Sequence, residues 1–181
     1  MRHSETGERH GKEWIKMRDG LGSRLAHPKG SQGILVALIG PRGTGKTQLA
    51  VDVLRQHVVN TGCLSRYIKL FGFALEIKAT YDGKGSEIDV LNTFIKPKIL
   101  IIDEIHEKLD SQWARGFFTH LIDRRYDGMK DTFLIGNLEE SEFAGVVGSS
   151  VYSRLQETGG VINCDWDSFR KKGGDVEVTG R

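Results

Sequence analysis

Short apolar runs alternate with amphipathic segments along the middle of the chain. The runs predict five β-strands, at Ile34–Ile39, Tyr67–Leu70, Ile99–Ile102, Thr132–Ile135 and Val161–Cys164. Apolar residues at helical spacing predict helices between them, at about 46–59, 74–81, 87–96, 110–126 and 139–155. Strands this apolar, separated by helices, are typical of a mostly parallel sheet that is covered on both faces. We therefore expect a three-layer α/β/α sandwich with a five-stranded sheet.

The two ends of the chain differ from this middle. Residues 1–30 are polar and basic, and Trp14, Met17, Leu21 and Leu25 recur there at the spacing of a short amphipathic helix. This apolar stripe either packs on its own domain or docks on a partner. The last residues are charged and contain glycine. We expect a basic N-terminal segment over 1–30, the α/β domain over 31–165 and a tail over 166–181.

Composition excludes several classes of protein. With 181 residues, of which 38% are hydrophobic and 28% charged, the chain fits a single globular domain. No apolar stretch approaches the roughly 20 residues that a membrane-spanning helix needs, so a cytoplasmic protein is expected. The net charge of +2 is too small to indicate nucleic-acid binding by itself. The spacing of Cys63 and Cys164 predicts reduced thiols and no zinc site.

A glycine-rich segment directly follows the first predicted strand and precedes a predicted helix. It matches the P-loop pattern G-x-x-x-x-G-K-[ST] in the context that this pattern requires. Glycines let the backbone N–H groups turn toward phosphates, and the helix N-terminus favours negative charge. Lys46 is expected to contact β- and γ-phosphate oxygens, and Thr47 to bind Mg²⁺. The predicted ATP-binding residues are Gly40, Pro41, Arg42, Gly43, Thr44, Gly45, Lys46, Thr47 and Gln48.

Two adjacent acids follow the third predicted strand. Parallel strands bring their carboxyl ends to one edge of a sheet, so Asp103 and Glu104 are expected beside the phosphates. Asp103 is the predicted Mg²⁺ ligand, and Glu104 the general base that activates water. The alternative is an ordinary solvated strand end. A second acid at this position distinguishes ATPases from many P-loop kinases and GTPases.

Two further polar residues are candidates for catalysis. Asn137 follows the fourth predicted strand and can bind the γ-phosphate or the attacking water if that strand lies between those carrying the P-loop and Asp103. The alternative for Asn137 is a turn residue. Arg154 lies late in a predicted helix, where it can face a neighbouring subunit and stabilise charge on that subunit's ATP. The alternative for Arg154 is a surface arginine.

These motifs resemble the bacterial replicative helicase loaders of the DnaC type, whose AAA+ modules are related to the transposition helper ATPases called IstB. The resemblance covers about residues 30–172. It rests on the P-loop, the acidic strand, Asn137-Leu138 and Ser153-Arg154-Leu155. Two narrower segments indicate the subfamily, Ile122-Asp123-Arg124-Arg125-Tyr126 and Asp165-Trp166-Asp167-Ser168-Phe169-Arg170. It implies an AAA+ ATPase core, without a full helical lid, in which Asn137 is the first sensor, Arg154 the finger in trans and Arg170 a second sensor.

The resemblance also implies partners. Such loaders act on a replicative helicase of the DnaB type and bind single-stranded DNA inside an ATP-assembled homo-oligomer, a spiral or hexamer-like ring. Residues after the second strand then contact DNA, here Phe71, Phe73 and Lys78. Aromatic rings stack on bases and lysine meets phosphate. Core packing is the alternative for both phenylalanines.

Two departures from the family pattern leave other interpretations open. Ile135-Gly136 stand where relatives usually have Thr and a small residue, and about 30 residues before the first strand cannot form a helicase-binding domain. Either the sequence is a piece of a longer protein, or residues 1–30 dock on the helicase, or the client differs. The alternatives are an IstB-like transposition helper that binds duplex DNA and a weakly hydrolysing adaptor or inhibitor of a helicase.

Overall fold

A single parallel sheet organises the protein. The computed structural model describes residues 3–26, 32–82, 86–105 and 112–169. Its five strands are β1 (Leu35–Ile39), β2 (Ser65–Lys69), β3 (Ile99–Asp103), β4 (Asp131–Ile135) and β5 (Gly160–Asn163). They lie in the order β2-β3-β4-β1-β5, and every pair is parallel. All five carboxyl ends therefore meet at one edge of the sheet, the carboxyl edge, and all five amino ends at the other, the amino edge.

Helices cover both faces of this sheet. They are α1 (His3–Leu25), α2 (Lys46–Thr61), α3 (Leu70–Lys78), α4 (Glu87–Ile95), α5 (Gln112–Asp127), α6 (Glu140–Val147) and α7 (Ser149–Thr158), with a short 3₁₀ helix at Ala79–Asp82. Helix α1 contains a kink at Gly11, where φ is 68°. Within the described residues, no helix is both long and apolar enough to cross a bilayer.

The predicted architecture is confirmed, with three local corrections. The second strand was expected to include Leu70, but Lys69 ends the strand and Leu70 begins α3. The helix expected at about 74–81 accordingly begins earlier and ends in the 3₁₀ helix. The single helix expected at about 139–155 is two helices, α6 and α7, because Gly148 between them takes a φ of 84° that is incompatible with a continuous helix.

Two apolar clusters sandwich the sheet. On one face, α3, α4, α5, α6 and α7 pack against alternate strand residues such as Ala37, Leu100 and Leu134. On the other face, α1 and α2 pack against the intervening residues, including Val36, Ile101 and Phe133. Trp14, Leu21 and Leu25 of α1 are buried in this second cluster. The amphipathic stripe near the N-terminus thus packs on the chain's own α/β domain, the first of the two expected alternatives.

Arg125, near the end of α5, closes the amino edge of the sheet. Its side chain is fully buried, and its guanidinium donates hydrogen bonds to Thr132 Oγ1 at 2.9 Å and to several backbone carbonyls, those of Phe94, Ile95, Pro97, Lys98 and Asp131. Burial lowers the pKa of Arg125, and the Asp131 carboxylate opposes that shift. These carbonyls belong to the connections that enter β3 and β4, so Arg125 fixes where both strands begin.

Candidate functional site

The glycine-rich segment forms a loop at the carboxyl end of β1. Gly40, Gly43 and Gly45 have φ values of 124°, 88° and 78°, which glycine adopts without strain. The first hydrogen bond of α2 runs from Leu49 N to Gly45 O, at 2.8 Å. The N–H groups of Lys46 and Thr47 therefore precede the helical ladder and belong to the helix N-terminus, where an anion is stabilised.

Lys46 reaches back over this loop. Its Nζ donates to the carbonyl oxygens of Gly40, at 2.8 Å, and Pro41, at 2.5 Å. Burial lowers the pKa of Lys46, and Cys164 and Asp103 nearby oppose the shift. The ammonium group is held among neutral carbonyl oxygens, which phosphate oxygens can replace with a stronger charge-assisted contact. Among the other predicted ATP-binding residues, Thr44 is buried, whereas Pro41, Arg42, Thr47 and Gln48 are exposed.

The structure brings the predicted metal ligands together. Thr47 Oγ1 donates a hydrogen bond of 2.7 Å to Asp103 Oδ2, across the gap between α2 and the end of β3. Tyr67, on the adjacent strand β2, donates to the same oxygen at 2.9 Å. Burial, together with this hydrogen bond, raises the pKa of Tyr67, so the phenol remains a donor. Asp103 is thus oriented by two hydroxyl groups from different elements.

A hydroxyl and a carboxylate at this spacing fit Mg²⁺. The ion prefers hard oxygen ligands and commonly takes one or two from the protein, with water and substrate phosphates completing an octahedron. Thr47 and Asp103 would hold it, and it would neutralise charge on the phosphates. The described residues contain no group of three or more His, Cys, Asp or Glu side chains arranged to bind a metal by themselves. A site completed by a nucleotide agrees with both observations.

Glu104 takes an unusual backbone conformation immediately after β3. Its φ is 59°, in the left-handed region that costs a non-glycine residue about 1–3 kcal/mol. Its backbone N–H donates to Asp103 Oδ1 at 2.7 Å, and its own carboxylate accepts from Lys69 Nζ at 2.8 Å. After this turn the two carboxylates point to different partners. Asp103 accepts a hydrogen bond from Thr47, and Glu104 accepts one from Lys69.

Asn137 lies at the end of the strand that the sequence argument required. Strand β4 is between β1, which leads into the loop, and β3, which carries Asp103. Gly136 contacts the connection after β3 closely, since a Cβ there would lie 2.8 Å from Ile105 Cγ1. Ile105 N also donates to Ile135 O at 3.0 Å. The connection after β3 therefore packs directly on the end of β4, which leaves no room for a larger residue at 136.

Arg154 does not join this group of residues. It lies in the second half of α7, which leads to the amino end of β5. Its Nη1 is 3.2 Å from Asp123 Oδ1, and its guanidinium lies 5.4 Å from the centre of the Tyr126 ring. Both partners belong to the second half of α5. Arg154 therefore lies toward the amino edge, away from the phosphate loop of its own chain, and its action on another chain's nucleotide stays a prediction.

The three DNA-contact candidates separate into two environments. Phe71 is 60% exposed, and Lys78 is also exposed on the same helix. Phe73 is 1% exposed and packs edge-on against Phe94, with ring centroids 5.0 Å apart. The expectation that Phe73 contacts DNA is wrong, because this side chain belongs to the core. Arg170, the candidate second sensor, lies outside the described residues.

Sequence reasoning missed the partners that orient the acids. Tyr67 and Lys69 lie two residues apart at the end of β2, and the pairing register sets Lys69 opposite Asp103. Both side chains contact an acid, through the hydrogen bonds to Asp103 and Glu104. Polar residues alternating at the end of a strand were the available signal. It has meaning only once β2 is known to be the neighbour of β3.

Comparison with known sequences finds two kinds of relative, replicative helicase loaders and an insertion-sequence ATP-binding protein. The replicative helicase loader DnaC of Escherichia coli is 26% identical over 144 residues, or 78% of this chain and 56% of that protein. An insertion-sequence ATP-binding protein of Geobacillus stearothermophilus is 30% identical over 141 residues, or 75% of this chain and 55% of that protein. The chain thus spans little more than half the length of these relatives.

Solved structures share the fold. A crystal structure of the DnaC helicase loader has a TM-score of 0.68 at 23% identity and covers 82% of this chain and 86% of that one. The AMPPCP-bound DnaA from Aquifex aeolicus has a TM-score of 0.69 at 19% identity and covers 84% of this chain and 47% of that one. The family model of the IstB-like ATP binding protein matches residues 31–175. With its phosphate loop, adjoining acids and AAA+ fold, the chain belongs to the IstB-like ATP binding protein family.

Proposed function

We propose that the protein is an ATPase that loads or remodels a replicative DNA helicase on single-stranded DNA, with ATP binding driving assembly and hydrolysis driving release. The observation that carries the proposal is the contact of 2.7 Å between Thr47 and Asp103, beside Lys46 and Glu104. It assembles a phosphate ligand, two Mg²⁺ ligands and a candidate base at one edge of the sheet. The helicase as client is supported by the relatives named helicase loader DnaC.

Hydrolysis follows from the roles that these side chains can take. Lys46 exchanges its carbonyl partners for phosphate oxygens, and Asn137 offers an amide to the γ-phosphate or to the attacking water. Glu104 accepts the proton of that water. The Lys69 ammonium occupies Oε1 of Glu104 at 2.8 Å, so in this proposal Lys69 leaves that oxygen before the attacking water takes its place.

The contact between Lys69 and Glu104 also couples the base to the proposed DNA surface. Lys69 is the N-cap residue of α3, and the exposed residues Phe71, Leu75 and Lys78 follow on that helix. A strand of DNA on these residues would stack on Phe71 and pair its phosphate with Lys78. Such a ligand would act directly on the helix that begins at Lys69. Binding of DNA and release of the base are therefore linked in this proposal.

The decisive experiment for catalysis is Glu104→Gln. The variant should bind ATP with unchanged affinity and hydrolyse it at least about 100-fold more slowly, because the base is lost while the phosphate ligands remain. Glu87→Gln, in the first turn of α4, is the matched control and should behave as wild type. Near-normal turnover by Glu104→Gln would remove Glu104 from its role. Slow turnover by the wild-type chain, with and without DNA, would favour the adaptor.

Preference for single-stranded or double-stranded DNA distinguishes a helicase loader from a transposition helper. The insertion-sequence relative supports the second alternative. Binding of labelled single and double strands should be compared with ATP and with ADP. We expect ATP-dependent preference for the single strand, weakened by Phe71→Ala and left unchanged by Ile88→Ala on α4. Preference for duplex DNA would support the transposition reading. Co-purification with the replicative helicase of the same source, in ATP but not in ADP, tests the client.

A further inference from the structure

The glycines of the phosphate loop leave its backbone conformation loosely restrained. Thr44 is flanked by Gly43 and Gly45, both at positive φ. Glycine changes its backbone angles at little cost, so the two peptide groups on either side of Thr44 are free to rotate unless something fixes them. Their N–H groups, those of Thr44 and Gly45, bind phosphate only when they point into the loop. The loop therefore needs an external restraint.

The segment after β5 supplies that restraint. Trp166 Nε1 donates a hydrogen bond of 2.7 Å to Thr44 O. Phe169 N donates one of 2.9 Å to Gly43 O. The two bonds take the carbonyl oxygens of the two peptide groups that adjoin Thr44. This segment belongs to the Asp-Trp-Asp-Ser-Phe-Arg motif, for which the proposed function gives Trp166 and Phe169 no role.

Peptide planarity converts these contacts into an orientation of donors. In a trans peptide the C=O and the following N–H point in opposite directions. Holding the carbonyls of Gly43 and Thr44 toward the segment therefore turns the N–H groups of Thr44 and Gly45 away from it. The Thr44 side chain contacts the phosphate-binding lysine, since its Oγ1 accepts a hydrogen bond of 3.3 Å from Lys46 Nζ.

The restraining segment is itself anchored. Cys164 N donates to Ile39 O at 2.8 Å, which continues the pairing of β5 with β1 into the start of the loop. Cys164 is fully buried, and a Cβ on Gly40 would lie 2.7 Å from its carbonyl oxygen. Trp166 and Phe169 also pack against the cluster formed by α1 and α2. The segment thus starts from a fixed point directly beside the loop.

We propose that Trp166 and the backbone N–H of Phe169 are positioning groups for nucleotide binding, which clamp the phosphate loop so that its N–H groups face the phosphates. The clamp acts on the polyphosphate and not on the base. It rests on the proposed binding of ATP at this loop. It also gives the motif after β5 a purpose separate from any contact of Arg170 with nucleotide.

The first test is Trp166→Phe, which removes the indole donor and keeps an aromatic ring. The dissociation constants of a fluorescent ATP analogue, and of inorganic tripolyphosphate as its competitor, should both rise by about five- to tenfold, the value of one hydrogen bond. The melting temperature without ligand should stay close to wild type. Trp113→Phe on α5, where Trp113 packs against Phe117, is the matched control and should change neither constant.

The second test isolates the backbone donor. Phe169→Ala removes the ring and keeps the N–H, whereas Phe169→Pro removes both. The proline variant should bind tripolyphosphate about threefold to tenfold more weakly than the alanine variant. Equal affinities of this pair, together with unchanged affinity in Trp166→Phe, would overturn the clamp.

The outcomes also separate the clamp from the proposed function. Wild-type binding of ATP that is lost in Lys46→Ala supports the phosphate site. If that holds and Trp166→Phe binds ATP more weakly but tripolyphosphate equally well, Trp166 serves the base and the clamp is wrong. Failure of the wild-type chain to bind either ligand would overturn the proposed function and the clamp together.

Discussion

At the carboxyl edge of the sheet the charged side chains contact one another and the phosphate loop, whereas at the amino edge the buried Arg125 contacts chiefly backbone carbonyls. Lys46, Asp103 and Glu104 each have a partner on a separate element. Those partners are loop carbonyl oxygens, a hydroxyl and a half-exposed lysine, all of which a phosphate or a metal ion can displace. The partners of Arg125 are fixed parts of two strand entries.

The difference teaches how the same residue types serve structure or chemistry. Arginine at the amino edge has its donors satisfied permanently, so it stabilises the fold. Arg154, also toward that edge, is partly exposed and is held by Asp123 and Tyr126. Under the proposed function, an ATP site at one edge and Arg154 toward the other would suit head-to-tail assembly, in which one subunit completes the site of the next.

The largest effect is expected when the structural arginine is removed. Arg125→Met should lower the free energy of unfolding by about 3–5 kcal/mol, because buried carbonyls lose their donor. Chemical denaturation measures the change. Arg124→Met, at the exposed neighbouring position, should change it by less than about 0.5 kcal/mol. Equal losses in the two variants would show that the amino edge does not depend on Arg125.

Next in size is the loss of the proposed finger. Arg154→Ala should reduce ATPase activity by about 100-fold or more, with unchanged affinity for ATP. Lys46→Ala should also be inactive, because it loses the phosphate ligand of its own site but keeps its finger. Mixing the two inactive proteins should therefore restore part of the activity. Arg124→Ala is the control for charge. Failure to restore activity at every mixing ratio would argue against action in trans.

A smaller effect is expected from the residue that holds this arginine. Asp123→Asn weakens a partly exposed ion pair, so ATPase activity should fall by about two- to fivefold. Asp127→Asn, exposed one helical turn later, should have no effect. Because the pair is distant from the phosphate loop, the dissociation constant for ATP should not change. A change in that constant would mean that the amino edge affects nucleotide binding within one chain.

The smallest expected effect is a difference in the rate of thiol modification between the two edges, each of which carries one cysteine. Burial raises the pKa of Cys164, at the carboxyl edge, to about 12, so it stays protonated at pH 8. Cys63, before β2 at the amino edge, is partly exposed. A disulfide reagent should modify Cys63 readily and Cys164 only on unfolding. Similar rates for both would show that the carboxyl edge is open behind the phosphate loop.

Much of the fold was predictable because apolar periodicity reports burial. All five strands and the alternation with helices were predicted, and the sheet was expected to be mostly parallel. The errors lie where one residue decides a boundary. A short apolar run does not distinguish the end of a strand from the start of a helix, so Leu70 fits either, and the break between α6 and α7 depends on the backbone angle of Gly148. Such angles leave little trace in hydrophobic patterning.

The candidate site was predictable in part. The phosphate loop and the two acids are local patterns in a defined strand context, and the structure places them together. Phe71 and Phe73 show the limit of that reasoning, since both are aromatic and two residues apart, yet one is exposed and the other is buried. Only the packing of α3 on the sheet distinguishes them. Role assignments for Asn137 and Arg154 stay predictions that the experiments above test.

The sequence by itself determined the phosphate loop after β1 and the paired acids after β3, because glycine, lysine, threonine and adjacent carboxylates specify these patterns through their own properties. Tertiary structure decided which strand ends are neighbours, and hence that Tyr67 and Lys69 orient the acids. It also decided that Trp166, far along the chain from Thr44, donates a hydrogen bond to the Thr44 carbonyl in the phosphate loop. The physical reason is that hydrogen bonds and ion pairs act over a few ångströms, and proximity between distant residues comes only from the folded sheet.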